Sequence, residues 1–137
     1  MSTARYKELT LLRSSRTRYP DSPDKARLEA FRNAYPERPY KVRFDCPEFT
    51  SRCPITDQPD FGSIVIEYVP GKLCLESKAL KLYLFSFRNH NTFHEAAVNR
   101  ILDDIVRAAK PVWAELEGSF TTRGGMHSTI TARHPRK

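Results

Sequence analysis

A change of hydrophobic period in the middle of the chain is the feature that most constrains how it folds. Strand-like patterns come first, two stretches with apolar residues at helical spacing follow, and strand-like patterns return at the end. The predicted helices cover residues 77–88 and 92–110, and the predicted strands cover residues 39–45, 62–69, 72–75, 112–120 and 128–132. This order predicts an α+β fold, in which an antiparallel sheet carries both helices on one face.

The last two strand patterns meet at Arg123-Gly124-Gly125, which predicts a hairpin. A sheet with so few strands has exposed edges, and unpaired edges favour association with other chains. We therefore expect a homo-oligomer in which sheet edges pair across subunits.

The basic charge of the chain is concentrated at its two ends. The 137 residues carry a formal net charge of +7. Residues 1–38 hold nine basic and five acidic side chains, residues 133–137 hold three basic ones, and residues 39–132 hold eleven of each sign. Because the centre is neutral, we expect no direct contact with nucleic acid.

The length of the chain suits one domain. We expect an N-terminal arm over residues 1–38, partly disordered and with a short helix within 28–35, and a single domain over 39–137 that ends in a short basic tail. No apolar run approaches the roughly 18 residues that a membrane span needs. No apolar signal segment follows Met1. These features predict a cytoplasmic protein that does not enter a membrane.

Residues 47–61 predict an ordered loop that carries a thiol and a carboxylate. The prolines and small polar residues of this stretch disfavour both a helix and a central strand. Cys53 lies between Arg52 and Pro54, and a neighbouring guanidinium favours the reactive thiolate, although a structural thiol is equally compatible with the pattern. Asp60 either caps the turn before the next strand or passes protons to a reacting group.

The other two cysteines are typical of packing residues. Cys46 and Cys74 lie in or beside strand patterns. An odd number of cysteines without an export signal disfavours a disulfide framework. Cys46 and Cys53 are also too far apart in sequence for the closely spaced ligand pairs of zinc sites, so we expect no metal, and a site that joins Cys53 and His94 is the alternative.

The start of the second predicted helix holds His94 and Glu95. Glu95 either completes a capping box with Thr92 or hydrogen-bonds the N–H groups of a heterocycle. In the second interpretation the neighbouring imidazole moves protons.

The start of the first predicted helix is cationic. Ser77 is the expected N-cap, and Lys78 and Lys81 share a helix face. Two lysines near a helix N-terminus suit phosphate groups, and a solvated cationic edge is the alternative. The chain has no GxGxxG or P-loop motif, so a dinucleotide would bind outside those settings.

Several long motifs, in order along the chain, resemble those of the NADPH-dependent 7-cyano-7-deazaguanine reductases, the nitrile reductases of queuosine biosynthesis. The most specific is Glu-Ser-Lys-Ala-Leu-Lys-Leu-Tyr at residues 76–83. The other matching segments are residues 44–54, 58–61, 84–90, 93–95 and 120–125. The length resembles that of the short, single-module subunits of this family.

The resemblance implies the tunnelling fold, in which subunits join their sheets into a barrel with active sites between subunits. It implies a decamer of two pentameric rings. It also implies roles for individual residues. The Cys53 thiolate would add to the nitrile carbon of 7-cyano-7-deazaguanine and form a thioimide, and Asp60 would deliver a proton. Glu95 would bind the deazaguanine ring, while His94 would contact the substrate and assist proton transfer.

The resemblance also implies NADPH as the cofactor. The residues that would line its site are Glu76, Ser77, Lys78 and Lys81, with Arg123 as an additional phosphate contact.

Three alternatives stay open. An amidinotransferase of the same fold would use the same cysteine on the same nitrile in tRNA, without a nicotinamide. A zinc enzyme similar to GTP cyclohydrolase I would need ligand spacing that the chain lacks. A non-catalytic basic RNA-binding module would need charge on the domain rather than on its ends.

Overall fold

The computed structural model describes residues 19–136. The elements within this range are β1 (Ala30–Arg32), β2 (Val42–Arg52), β3 (Pro59–Val69), β4 (Leu73–Leu75), α1 (Ser77–Phe85), α2 (His94–Ala109), β5 (Trp113–Arg123) and β6 (Met126–His134). The predicted order from residue 39 onward is confirmed. In the part of the chain so described, neither helix is long and apolar enough to cross a membrane.

The main sheet has the strand order β2-β3-β5-β6, and each neighbouring pair is antiparallel. Both helices lie between β3 and β5 in the chain, although those two strands are neighbours in the sheet. Ile64, Ile66 and Tyr68 of β3 are buried, whereas Val65 and Glu67 between them are partly exposed. This alternation places the core on one face of the sheet, where the helices cover it, and confirms the predicted α+β class.

Helix α2 packs its apolar stripe against the centre of the sheet. Its buried residues are Ala97, Val98, Ile101, Leu102, Ile105 and Ala109. Gly118 of β5 permits the close approach, since a Cβ atom there would lie 2.6 Å from Cγ2 of Val98. The β5–β6 hairpin turns at Gly124 and Gly125, whose φ angles of +56° and +78° favour glycine.

The loop that the sequence predicts over residues 47–61 is shorter in the structure. Strand β2 continues to Arg52 and β3 begins at Pro59, so only residues 53–58 form the loop. Two features explain how the strands accept prolines. The β2–β3 register shifts between Cys46 and Phe49, which leaves Pro47 in a bulge of an outer strand, and Pro59 occupies the first position of its strand.

The predicted short helix within residues 28–35 is wrong. This segment contains β1, which pairs antiparallel with β4. Asn33 fixes the end of β1, because its side chain donates to the carbonyl of Gly71 at 2.8 Å and accepts from the Tyr40 hydroxyl at 2.6 Å. Pairing with a distant strand outweighs the weak local preference for helix. Residues 1–18 of the predicted arm lie outside the described residues.

Candidate active site

The loop that carries Cys53 closes on itself through backbone hydrogen bonds. The amide of Cys53 donates to the carbonyl of Gln58, and the amide of Asp57 donates to the carbonyl of Cys53, both at 2.9 Å. Asp57 adopts a φ of +59°, which is uncommon for a residue with a side chain. Its carboxylate lies 3.3 Å from Arg52, an ion pair across the base of the loop.

The segment between the two helices holds this loop in place. Asn91 Nδ2 donates to the carbonyl of Cys53 and to Oδ1 of Asp57, each at 3.0 Å. The backbone amide of Arg52 donates to His90 at 3.0 Å, and that of Thr92 donates to Arg52 at 2.9 Å. Residues 53–58, which we call the thiol loop, are therefore attached to the segment that leads into α2.

The environment of Cys53 favours its thiolate. A hydrogen bond from the Thr56 side chain, with backbone hydrogen bonds from Thr56 and Ile55, lowers the pKa of the Cys53 thiol, while burial and the charge of Asp60 act in the opposite direction. The sequence predicted this effect from the Arg52 guanidinium. That guanidinium instead binds Asp57 and, at 3.2 Å, the side-chain oxygen of Asn89.

Asp60 is a buried carboxylate inside β3 rather than a turn cap. It is 6% exposed. Its Oδ1 lies 2.9 Å from Nη1 of Arg123, and its Oδ2 lies 3.3 Å from Nε2 of His94. The Thr50 hydroxyl donates to its backbone carbonyl at 2.8 Å. The fold thus brings Asp60, His94 and Arg123 together beside the thiol loop.

His94 is the first residue of α2, and its ring stacks on Phe120 of β5. The ring centroids are 3.7 Å apart and the planes differ by 3°. Nδ1 lies 3.5 Å from the Ser128 hydroxyl. Nε2 is buried and makes no hydrogen bond of good geometry within residues 19–136, even though Asp60 is near it. An imidazole held in this way has one nitrogen available for proton exchange.

The structure contradicts the capping-box interpretation of Glu95. The N-cap of α2 is Phe93, no side chain caps the helix, and the Thr92 hydroxyl donates to the carbonyl of Phe93 at 3.2 Å. Glu95 follows His94 and is exposed. Its carboxylate therefore has no structural role in the helix cap.

The start of α1 also differs from the prediction, because Glu76 rather than Ser77 is the N-cap. The Glu76 carboxylate accepts from the amides of Lys78 at 2.9 Å and Ala79 at 2.7 Å, and these bonds lower the pKa of its carboxyl group. Two of the backbone amides that have no acceptor within the helix are thereby hydrogen-bonded to Glu76. An anion here would be bound by the exposed side chains of Lys78 and Lys81 rather than by the helix N-terminus.

The predicted cofactor residues of α1 line clefts apart from the thiol. Lys78 and Glu76 line a cleft of about 510 Å³ with Lys25 and Arg27. Lys81 lines another of about 410 Å³ beside β2. The residues around these two clefts do not include Cys53, Asp60 or His94. Within residues 19–136, these two clefts thus hold the lysines of α1 but not the residues grouped around Cys53.

Comparisons with known proteins agree on one family. A family profile described as "QueF-like protein" matches residues 59–137. An NADPH-dependent 7-cyano-7-deazaguanine reductase of Anaeromyxobacter sp. (strain Fw109-5) is 56% identical over 107 residues, which cover 78% of this chain and 88% of the relative. One of the same name from Streptococcus mutans serotype c is 51% identical over 126 residues, 92% of this chain and 78% of the relative. The chain belongs to the family of NADPH-dependent 7-cyano-7-deazaguanine reductases.

The structural comparison supports the fold of this reductase-family chain. A crystal structure described as that of the archaeosine synthase QueF-Like in the apo form superimposes with a TM-score of 0.66. The match covers 71% of this chain and 95% of that one, at 23% sequence identity. At this identity the likeness concerns the fold alone, and the family assignment depends on the reductase relatives.

The sequence of this reductase-family chain did not single out several side chains around the site. They are Ser51, Thr56, Asn91, Phe120 and Ser128. Asn91 lies in the short segment between the two predicted helices, where a side-chain amide can donate to the backbone of a neighbouring loop. Phe120 shares the alternating buried face of β5 and could have been found from that pattern.

Within residues 19–136, no group of three or more His, Cys, Asp or Glu side chains is placed to hold a metal ion.

Proposed function

We propose that this protein reduces the nitrile of 7-cyano-7-deazaguanine to the aminomethyl group of 7-aminomethyl-7-deazaguanine, with NADPH as reductant, in queuosine biosynthesis. The observation that carries the proposal is the 56% identity, over 78% of the chain, to a protein named for this activity. The grouping of Cys53, Asp60 and His94 supports it, because the reaction requires a nucleophile and a proton donor.

The first step is attack by the Cys53 thiolate on the nitrile carbon. A bond forms between Sγ and the carbon, one C–N π bond breaks, and the nitrogen takes a proton, which gives a covalent thioimide. The hydrogen bonds from Thr56 support this step, since they favour the thiolate. Asp60 and His94 supply the proton. Oδ2 and Nε2 lie 3.3 Å apart, so a small rotation of the imidazole would form the hydrogen bond through which the proton passes from one to the other.

Substrate binding falls to the exposed start of α2. The Glu95 carboxylate accepts hydrogen bonds from the amino and ring N–H groups of the deazaguanine. His94 lies next to Glu95 and is held by the stack on Phe120. The first turn of α2 therefore carries both the group that binds the substrate ring and the group that transfers the proton.

The cofactor site uses the cationic start of α1. The exposed ammonium groups of Lys78 and Lys81 fit the phosphates of NADPH, whereas the amides of the helix end do not, because Glu76 occupies them. When bound, NADPH supplies the hydride for each of the two reductions that convert a nitrile into a primary amine. Ser77 borders this region on the side of β1 and β4.

We further propose that a second copy completes each site. Support comes from the separation of the Lys78 and Lys81 clefts from Cys53. Of the outer strands of the described sheet, β6 has an unpaired edge and so does β2 before Arg52, which suits sheet extension across subunits. The resulting assembly is the barrel of the tunnelling fold, a decamer of two pentameric rings, and we place it in the cytoplasm.

The test is to mix the protein with 7-cyano-7-deazaguanine and NADPH and to follow the absorbance of NADPH and the mass of the product. We expect oxidation of two NADPH for each amine formed. A folded, oligomeric preparation that oxidises no NADPH would overturn the proposal. A parallel reaction with ammonia and tRNA that carries the nitrile tests the alternative, and conversion of that nitrile without NADPH would indicate an amidinotransferase instead.

A further inference from the structure

Asp60 has one strong partner in the described structure, and that partner is Arg123. The Asp60 side chain is 7% exposed, so its carboxylate is almost fully withdrawn from water. A buried carboxylate needs a charged or hydrogen-bonded partner to be stable. Arg123 Nη1 supplies it at 2.9 Å, while His94 lies near without a hydrogen bond of good geometry.

Arg123 hydrogen-bonds the backbone of β3 as well as the carboxylate of Asp60. Its Nη2 donates to the carbonyl of Pro59, the residue directly before Asp60. The planar guanidinium thus bridges a side chain and the adjacent peptide group of the same strand. A lysine has no rigid fork and cannot reproduce both bonds in one geometry.

The fold places Arg123 for this contact. It is the last residue of β5, and the β5–β6 register shifts between Phe120 and Arg123 before the glycine turn. Such irregularities redirect a side chain next to a site. Arg123 therefore extends across the start of β3 at the level of the thiol loop.

We propose that Arg123 is a positioning residue that fixes Asp60 in the orientation from which it exchanges a proton with the nitrile nitrogen. This inference rests on the proposed function. The resemblance implies instead that Arg123 contacts a phosphate of NADPH. Here the guanidinium belongs to the thiol half of the site, which comprises Cys53, Asp60 and His94. The two roles separate experimentally, because thioimide formation needs no NADPH.

The experiment measures the rate of thioimide formation by rapid quenching and intact mass, without NADPH, in the unsubstituted oligomer and in Arg123→Gln, Arg123→Lys and Arg123→Ala. We expect Arg123→Gln to slow the step about tenfold or more, and Arg123→Lys to slow it less. Ethylguanidinium added to Arg123→Ala should restore part of the rate. The KM for NADPH in Arg123→Lys should change by less than about twofold.

Arg107→Gln is the matched control, because the Arg107 side chain is 76% exposed in the last turn of α2, outside the proposed site, and its loss should leave both thioimide formation and the KM for NADPH unchanged. An unchanged thioimide rate in Arg123→Gln together with a raised KM for NADPH would overturn the inference and assign Arg123 to the cofactor. Absence of any thioimide in the unsubstituted protein would overturn the proposed function instead.

A double-mutant cycle tests whether Arg123 acts through Asp60. If it does, Arg123→Gln in an Asp60→Asn background should slow thioimide formation no further than Asp60→Asn alone. Fully additive losses would contradict a positioning role. Circular dichroism and solution mass check the fold of each variant, and should Arg123→Gln fail to fold, Arg123→Lys is carried through the same cycle.

Discussion

At the scale of single residues, the reactivity of the thiol is set by its own short loop. The sequence predicted that Cys53 and Asp60 lie near each other, because few residues separate them and the resemblance pairs them. It attributed the thiolate to Arg52 because Arg52 is adjacent in sequence. The direction of a side chain depends on its tertiary partners, and Asp57 and Asn89 hold Arg52 elsewhere. For the same reason, no local pattern could have shown that Arg123 meets Asp60.

Replacement of Cys53 by Ala should abolish the covalent adduct with 7-cyano-7-deazaguanine, because the attacking sulfur is removed. Intact mass after incubation with the nitrile, without NADPH, measures this directly. Cys46→Ala is the matched control and should form the adduct normally, since burial raises the pKa of the Cys46 thiol. An adduct that persists in Cys53→Ala would mean that another residue is the nucleophile.

Replacement of Thr56 by Val should raise the pKa of Cys53, because it removes the largest of the contributions that lower it. The folded protein holds more thiolate near neutral pH than an ordinary cysteine would, so the curve of iodoacetamide reactivity against pH should move to higher pH in the variant. Thr129→Val, on the exposed part of β6, serves as control. A curve that does not move would show that the backbone amides of the loop suffice.

At the scale of elements, hydrophobic periodicity and turn glycines predicted the elements well, whereas the helix caps and the features that depend on strand pairing were not predicted. The stripe of α2 and the glycine hairpin are local features, and both are confirmed. Strand β1 exists because β4 offers it a partner, and β2 extends past Cys46 because a bulge absorbs Pro47. The partner of β1 is distant in sequence, and the bulge in β2 depends on its register with β3, so periodicity alone could not reveal either feature.

Replacement of Gly118 by Ala should destabilise the packing of α2 on the sheet. Its Cβ would approach Val98 Cγ2 to 2.6 Å, and overpacking of this kind costs about 1–3 kcal/mol. Urea denaturation measures the free energy of unfolding, or the loss of oligomer if unfolding is not two-state. Gly71→Ala is the control, because its nearest contact would be 3.4 Å. Val98→Ala should relieve part of the loss in the double variant, and simple additivity would argue against a steric origin.

At the scale of the whole molecule, a single copy holds the two halves of the proposed site in separate places. The thiol, Asp60 and His94 gather where β2, β3 and α2 meet, whereas Lys78 and Lys81 border other clefts of α1. Within residues 19–136, one face of the sheet carries no helix, and Arg43 and Glu67 pair there at 3.5 Å. These features together suit assembly of several chains. The sequence predicted assembly from sheet edges alone, and the number of subunits stays a prediction.

Complementation between inactive variants tests whether sites are shared. Cys53→Ala lacks the thiol half, and the double variant Lys78→Ala, Lys81→Ala lacks the cofactor half. If each site draws its halves from two chains, mixed oligomers contain some sites with both halves intact. Reversible dissociation and reassembly of the two variants together should therefore restore part of the NADPH oxidation that each lacks. No restoration in verified mixed oligomers would place both halves within one chain.

The attachment of the thiol loop to the segment before α2 has a consequence for local unfolding. The Arg52 amide donates to His90 and the Thr92 amide donates back to Arg52, so separation of the two segments breaks both hydrogen bonds. The end of β2 and the entry to α2 should then form one cooperative unit in amide hydrogen exchange, with similar protection at Arg52 and Thr92. The segments that carry Cys53 and His94 would then unfold and refold together. A chain with a displaced thiol would also have a displaced imidazole and would be inactive rather than partly active.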